Sequence, residues 1–199
     1  MPPLSFQSAL NLHRMKHLVE AQRRPKTFDV VRGFIVNFSD SLILLHCLEE
    51  DMFRLNGFTV IRRKDVSAVR FFDSSTEWQY RAVKRFRLTP KEKAGIDVAS
   101  LGDLLTSAGR AYPLIAIYTE TKRSDVCFIG EVACVTDTTL TLDDLNSNAE
   151  WCRPRRVQLA DITRVDFGSG YEKALAATAP KRRKGKSRLP LIGASGKLR

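Results

Sequence analysis

The spacing of apolar positions changes character several times along the chain, and the changes outline its elements. Between Phe6 and Ala21 they fall at Leu10, Leu12, Met15, Leu18 and Val19, with Ser5 ahead as an N-cap. That spacing predicts a helix, ended by Arg23-Arg24-Pro25. Runs rich in Val, Ile, Leu and Phe then predict strands over 29–38 and 41–48, separated by the turn-like Ser39-Asp40. Asn56-Gly57 is a strong hairpin signal and predicts a turn between strands 52–55 and 58–62, followed by a strand over 66–72. Ser74 and Glu77 have capping-box spacing and open a helix through Trp78, Ala82, Val83 and Phe86 to Arg87. The polar stretch 89–95 predicts a boundary, and 100–108 a short helix. Strand patterns return over 114–119, 126–135, 138–142, 155–159 and 162–167, before a closing helix over 171–177.

The two strand-rich halves resemble each other. Gly33 is followed by Ile35, Phe38, Asp40, Leu42 and Leu44; Gly130 is followed by Val132, Val135, Asp137, Leu140 and Leu142. Further on, Asp65-Val66-Ser67-Ala68-Val69-Arg70-Phe71 matches Asp161-Ile162-Thr163-Arg164-Val165-Asp166-Phe167. The two glycine-to-aspartate spans differ by one residue, which a hairpin loop absorbs. A glycine inside a strand permits the sharp bending that a small barrel needs at its corners.

This doubled pattern resembles the Sm-like branch of the SH3-like barrels, and more closely uncharacterised bacterial proteins with two Sm-like repeats in one chain. The resemblance covers residues 28–72 and 112–177. It implies a mainly β fold with flanking helices, built from tandem small barrels of strongly bent antiparallel strands. The expected organisation is a lead-in helix over 1–27, a first repeat over 28–89, a linker with a short helix over 90–111, a second repeat over 112–179 and a disordered basic tail over 180–199. Sm-like proteins bind RNA around a ring pore. This chain departs from that pattern: Ile43 and Thr141 replace the base-contacting asparagine, and Asp65-Val66 and Asp161-Ile162 replace the Arg-Gly pair. The scaffold carries over and the ring-pore mode of binding does not.

Charge adds a second theme. The chain has a formal net charge of +11 over 199 residues, and Pro180 to Arg199 holds eight bases and no acid, so the remaining residues carry only +3. Such a tail cannot bury enough apolar surface to fold alone, and it suits sequence-independent contact with phosphate. Its solubilising role is the plainer alternative, and in a eukaryote 181–184 would pass as a nuclear-import signal. Further basic clusters are Arg62-Arg63-Lys64 and Arg153-Pro154-Arg155-Arg156, which lie close to equivalent hairpins of the two repeats, and Arg81, Lys84 and Arg85 with Arg87 on the linking helix. Together with Lys181, Arg182, Arg183, Lys184, Lys186 and Arg188 they form a candidate phosphate track, with Trp78 or Trp151 for base stacking.

Other chemistry is thinly represented. His13 and His17 share a helix face but lack a third metal ligand. His46 and Cys47 are neighbours on a strand and point to opposite faces, as do Cys127 and Cys134 on a regular strand. The four cysteines, without a C-x-x-C pair, are expected to be reduced and mostly buried. Asp137, Asp143 and Asp144 suit turns better than a cation. No phosphate-binding glycine loop or nucleophile elbow occurs, so no cofactor, no metal and no catalytic residue is expected. No apolar run reaches membrane-spanning length and no secretion signal opens the chain, which predicts a cytoplasmic protein without a membrane partner. The expectation is a non-enzymatic protein that binds nucleic acid, RNA first. A protein-interaction or assembly module, including self-association through barrel edges, is the alternative.

Overall fold

The computed structural model describes residues 11, 16–24, 30–91, 95–124 and 126–181. In chain order its elements are β1 (Leu18–Arg23), β2 (Val30–Phe38), β3 (Leu42–Glu49), β4 (Arg54–Arg62), β5 (Val66–Phe72), α1 (Trp78–Arg85), α2 (Leu101–Ala111), β6 (Ile115–Tyr118), β7 (Cys127–Val135), β8 (Thr139–Leu145), β9 (Arg155–Gln158), β10 (Arg164–Phe167) and α3 (Gly170–Thr178). Short 3-10 turns, Arg63–Asp65 and Leu159–Asp161, lead into β5 and towards β10. The protein is mainly β: ten strands form one antiparallel sheet in the order β5-β1-β2-β3-β4-β10-β6-β7-β8-β9.

That order is one five-stranded arrangement written twice. In each unit the last strand lies beside the first, and the rest follow in sequence. The registers repeat as well. Val19 faces Gly33 and Ile115 faces Gly130; Gly33 faces Cys47 and Gly130 faces Asp144. Equivalent bulges fall between Ile35 and Asn37 and between Val132 and Cys134. Both hairpin tips hold a non-glycine residue in the left-handed region, Phe53 at φ 44° and Ala149 at φ 59°. The paired glycines have a steric reason. A Cβ on Gly33 would sit 2.5 Å from the His46 carbonyl oxygen, and one on Gly130 would sit 2.1 Å from that of Asp143. Strands this close on a bent sheet leave room for hydrogen only.

Several sequence expectations change. The ladder does not close into two separate small barrels: β4 gives its outer edge to β10 of the other unit, and the sheet stays open. Most of the helix expected over 6–21 lies outside the described residues, and from Leu18 to Ala21 the chain is strand β1, paired along both edges with β5 and β2 and with four of its six residues buried. Asn56-Gly57 is not the hairpin turn. The turn is made at residues 50–53, where the Phe53 amide donates to the Glu50 carbonyl at 3.1 Å, and β4 runs through Asn56 and Gly57 at a bulge. Gly57 is there because its φ is +72° and a Cβ would meet the Ser169 backbone nitrogen at 2.7 Å. Asn56 Oδ1 also accepts from the Gly170 amide at 2.9 Å, docking the start of α3. Finally, the registers match Ile43 and Leu45, not Leu42 and Leu44, with Leu140 and Leu142. The one-residue slip lies at the hairpin tip.

The core follows the sheet's curvature. In the first unit one face packs on itself through Val19, Val31, Ile35, Ile43, Leu45 and Ile61. The other face, with Leu18, Phe34, Leu44 and Val60, joins α2 and Ile115, Ile117, Leu140 and Leu142 of the second unit. Alpha-helix α2 starts on a Ser100 cap, whose Oγ accepts from the Asp103 amide at 3.1 Å, and buries Leu104, Leu105 and Ala108. At the seam between units, Arg23 and Glu120 form a buried two-pronged pair at 2.7 and 2.6 Å, and Thr163 Oγ1 donates to the same carboxylate at 2.7 Å.

Candidate nucleic-acid interface

The expected basic residues fall in two places, at opposite ends of the strands. Arg62, Arg63 and Lys64 lie at the 3-10 turn after β4, where Arg62 donates to Asp65 at 2.5 Å and to the Ala160 carbonyl at 3.2 Å. Arg63 lies 3.7 Å from Asp40, and Lys64 is exposed. Their counterparts in the second unit are Gln158, Leu159 and Ala160. Arg153, Arg155 and Arg156 instead stand at or before the start of β9, opposite that turn. The two clusters are therefore not on equivalent positions. Arg155 is also occupied: it donates twice to Asp144, at 2.9 and 2.7 Å, and covers the Phe128 ring at 4.0 Å. Arg153 and Arg156 are exposed.

The other place is the hairpin tip of the first unit, where α1 lies. Left-handed Phe53 presents its ring 5.6 Å from that of Trp78 at the start of α1 and 5.6 Å from that of Phe86 just after it. Trp78 is 56% exposed, Phe86 62% and neighbouring Met52 63%. Large side chains of this kind each gain about 1.5–3 kcal/mol on full burial, so Trp78 and Phe86, left in water on either side of the Phe53 ring, make this patch a candidate contact surface. Alpha-helix α1 buries none of its residues fully. Its expected capping box forms only in part: the Ser74 amide donates to Glu77 Oε2 at 3.4 Å, and the helix starts at Trp78.

Charge surrounds these rings. Arg81 reaches back to the Ser75 and Thr76 carbonyls at 3.0 and 2.8 Å, which fixes the guanidinium beside the helix start. Lys84 stands 5.5 Å over the Tyr80 ring, and Lys84, Arg85 and Arg87 are exposed. The nearby glutamates are engaged elsewhere: Glu77 holds Arg70, Glu49 holds Arg54, and Glu50 and Glu20 share Arg32, while Asp51 and Asp73 are exposed. The Arg70 guanidinium keeps the Glu77 carboxyl below the usual carboxylate range. The patch shows the solvent aromatic faces together with the exposed cations Lys84, Arg85 and Arg87. The hairpin-tip part was not legible from the sequence, because nothing in Met52-Phe53 announces that the Phe53 ring is turned towards Trp78.

Other expected positions resolve simply. Trp151 is half-buried, and its Nε1 donates to the Pro180 carbonyl at 2.8 Å, so it anchors the start of the tail. Lys181 is exposed; Arg182, Arg183, Lys184, Lys186 and Arg188, with His13, lie outside the described residues. His46 and Cys47 face opposite ways: His46 stacks on Phe58 at 4.6 Å while Cys47 packs into the first unit's inner core. Burial pushes the Cys47 thiol up to about 12. Contrary to expectation, Cys127 and Cys152 are exposed. The bulge at Val132 and Cys134 also restores parity, so Cys127 and Cys134 lie on the same side of β7. Among the described residues no three His, Cys, Asp or Glu side chains gather as a metal site, and no helix is long and apolar enough to cross a membrane. Comparison with protein families, with curated proteins and with solved structures finds no match for this chain.

Proposed function

We propose that the chain is a doubled Sm-like unit that binds single-stranded nucleic acid, RNA in the first instance, without catalysing a reaction. The observation that carries this reading is the aromatic trio of half-buried Phe53 with exposed Trp78 and Phe86, set among Arg81, Lys84, Arg85 and Arg87. Unstacked bases lie on aromatic faces, and cations beside them hold the phosphates; neither contact reads sequence. The twice-written five-strand order supports the Sm-like likeness. The tail begins at Pro180 beside the hairpin tip of the second unit, at the same end of the strands as the patch, and its bases are a further source of phosphate contacts.

Fluorescence anisotropy with a labelled single-stranded RNA tests the reading. Base stacking contributes about 1–3 kcal/mol per base, so Trp78→Ala is expected to weaken binding by roughly 5- to 150-fold at constant salt. Each lost phosphate contact should flatten the plot of log affinity against log salt by about 0.7, and removal of 180–199 should lower the slope further. Unchanged affinity in both variants rejects the mechanism. If the patch instead receives a protein, a partner captured from a lysate stays bound after nuclease treatment and is lost with Trp78→Ala.

A further inference from the structure

The seam between the units is a strand pair that the repeat would place again at both ends of the sheet. Strand β4 pairs with β10, and their counterparts in the other unit are β9 and β5. Those are the two strands with a ladder partner on one side only among the described residues. Carrying the seam register over to them shows what a second copy of the chain would meet. The seam sets Ile61 against Arg164, Val60 against Val165, Thr59 against Asp166 and Phe58 against Phe167. Between copies the same register sets Val157 against Ala68, Arg156 against Val69, Arg155 against Arg70 and Pro154 against Phe71.

Three of these four positions are favourable contacts at the seam and conflicts at the edges. Val60 and Val165 are each 1% exposed, whereas Arg156 would bring a cation onto Val69. Thr59 Oγ1 donates to Asp166 Oδ1 at 2.8 Å, whereas Arg155 and Arg70 are like charges placed directly opposite. The Phe58 and Phe167 rings stack with centroids 5.7 Å apart, whereas Pro154 offers Phe71 no ring to stack on and no amide to the ladder. Nor can the two arginines exchange partners, since Asp144 holds Arg155 and Glu77 holds Arg70, each on its own unit.

We propose that the outer edges of β5 and β9 are blocked copies of the seam, so that the chain is a self-terminated pair of units and not a link in a head-to-tail ring or fibre of its own copies. This is the opposite of the self-association through barrel edges that the sequence left as an alternative. It stands independently of any ligand on α1.

Sedimentation velocity of the full chain over a wide concentration range tests it. The wild type is expected to sediment as one chain of 22.5 kDa. Combining Arg70→Asp, Pro154→Phe, Arg155→Thr and Arg156→Val rebuilds the seam residues at both edges, and this variant is expected at twice that mass or more. A variant with native circular dichroism that sediments like the wild type overturns the proposal. So does wild-type association that Val157→Pro abolishes. Should the fourfold variant fail to fold, Arg70→Asp with Arg156→Val carries the same test with the same outcomes.

Discussion

Replacing Arg23 with alanine removes one half of the charge pair that joins the units. Arg23 and Glu120 side chains are 0% and 1% exposed, so their ionic forms are stabilised by each other and by Thr163, not by water. Burial pushes the Glu120 carboxyl up, but the hydrogen bonds from Arg23 and Thr163 outweigh that and leave it below the usual carboxylate range. Taking away the guanidinium leaves a buried ion in the seam with only the Thr163 hydroxyl and the field of Arg164, a loss of about 3–5 kcal/mol when a buried pair is broken from one side. For a chain of this size each kcal/mol shifts the midpoint by about 2–4 °C, so Arg23→Ala should melt roughly 6–20 °C lower by calorimetry at neutral pH. The double change Arg23→Met with Glu120→Met removes both charges and should recover most of that loss, because apolar replacement of a buried pair is often neutral. The pH dependence has a fixed sign. A carboxyl held below its unfolded value stabilises the native state above that unfolded value, 4.5, and the contribution fades as pH falls towards the lower folded value. Arg23→Ala should therefore lose part of its disadvantage on acidification. A loss under about 1 kcal/mol, or a double variant as weak as the single, would refute the view that this pair secures the seam.

Three further outcomes follow from the same geometry. Gly130→Ala drives a Cβ to 2.1 Å from the Asp143 carbonyl oxygen and should destabilise by at least the roughly 1–3 kcal/mol of an overpacked site. Gly102→Ala in α2 meets nothing nearer than 3.7 Å and should stabilise by about 0.5–1 kcal/mol; urea titration of both variants must give opposite signs. His46 Nδ1 accepts from the Lys91 amide at 3.2 Å, and burial together with the nearby Lys91 charge lowers its pKa from 6.5. Stability should fall as pH drops below that unfolded value, until the folded value is reached, and His46→Gln should flatten this part of the melting curve. With a thiol-specific chromogenic reagent at mildly alkaline pH, Cys152 should react first, and Cys127 more slowly because burial raises its pKa. Cys47 should react only on unfolding, and early Cys47 labelling would contradict its placement.

The strands after residue 29, β4 apart, were legible because each carries its own pattern. Beta-strand β5 begins and ends where the run 66–72 does, and the Gly33 and Gly130 motifs mark true counterparts. What failed depended on partners far away in the chain. Leu18 to Ala21 has spacing that fits a helix, and only the edges of β2 and β5 make it a strand. Asn56-Gly57 is turn chemistry recruited for a bulge, because the start of α3 must approach the backbone there. The open sheet was not legible at all, since the choice of β10 over β5 as the partner of β4 concerns residues about a hundred positions apart. The candidate site divides in the same way: the cations of α1 show in the sequence, while the juxtaposition of Phe53, Trp78 and Phe86 needs the fold.

Duplication with divergence assigns different work to the two units. In the second, the hairpin tip carries Ala149, and α3 buries Leu175 against Leu114, Ala116, Ile129 and Leu145, so that helix is part of a core. A capping box between Ser169 and Glu172 fixes its start. In the first, the tip carries Phe53, and α1 keeps Trp78 exposed with no residue fully buried. The helix that follows the fifth strand is thus part of a core in one unit and an exposed helix in the other, which the proposed function takes as a platform. A packed helix loses stability when its aromatic or aliphatic face is cut back, whereas a platform loses ligand. Trp78 is therefore the residue at which binding and stability should separate, and the half-buried Trp151, joined to Pro180, is the one at which stability alone should respond.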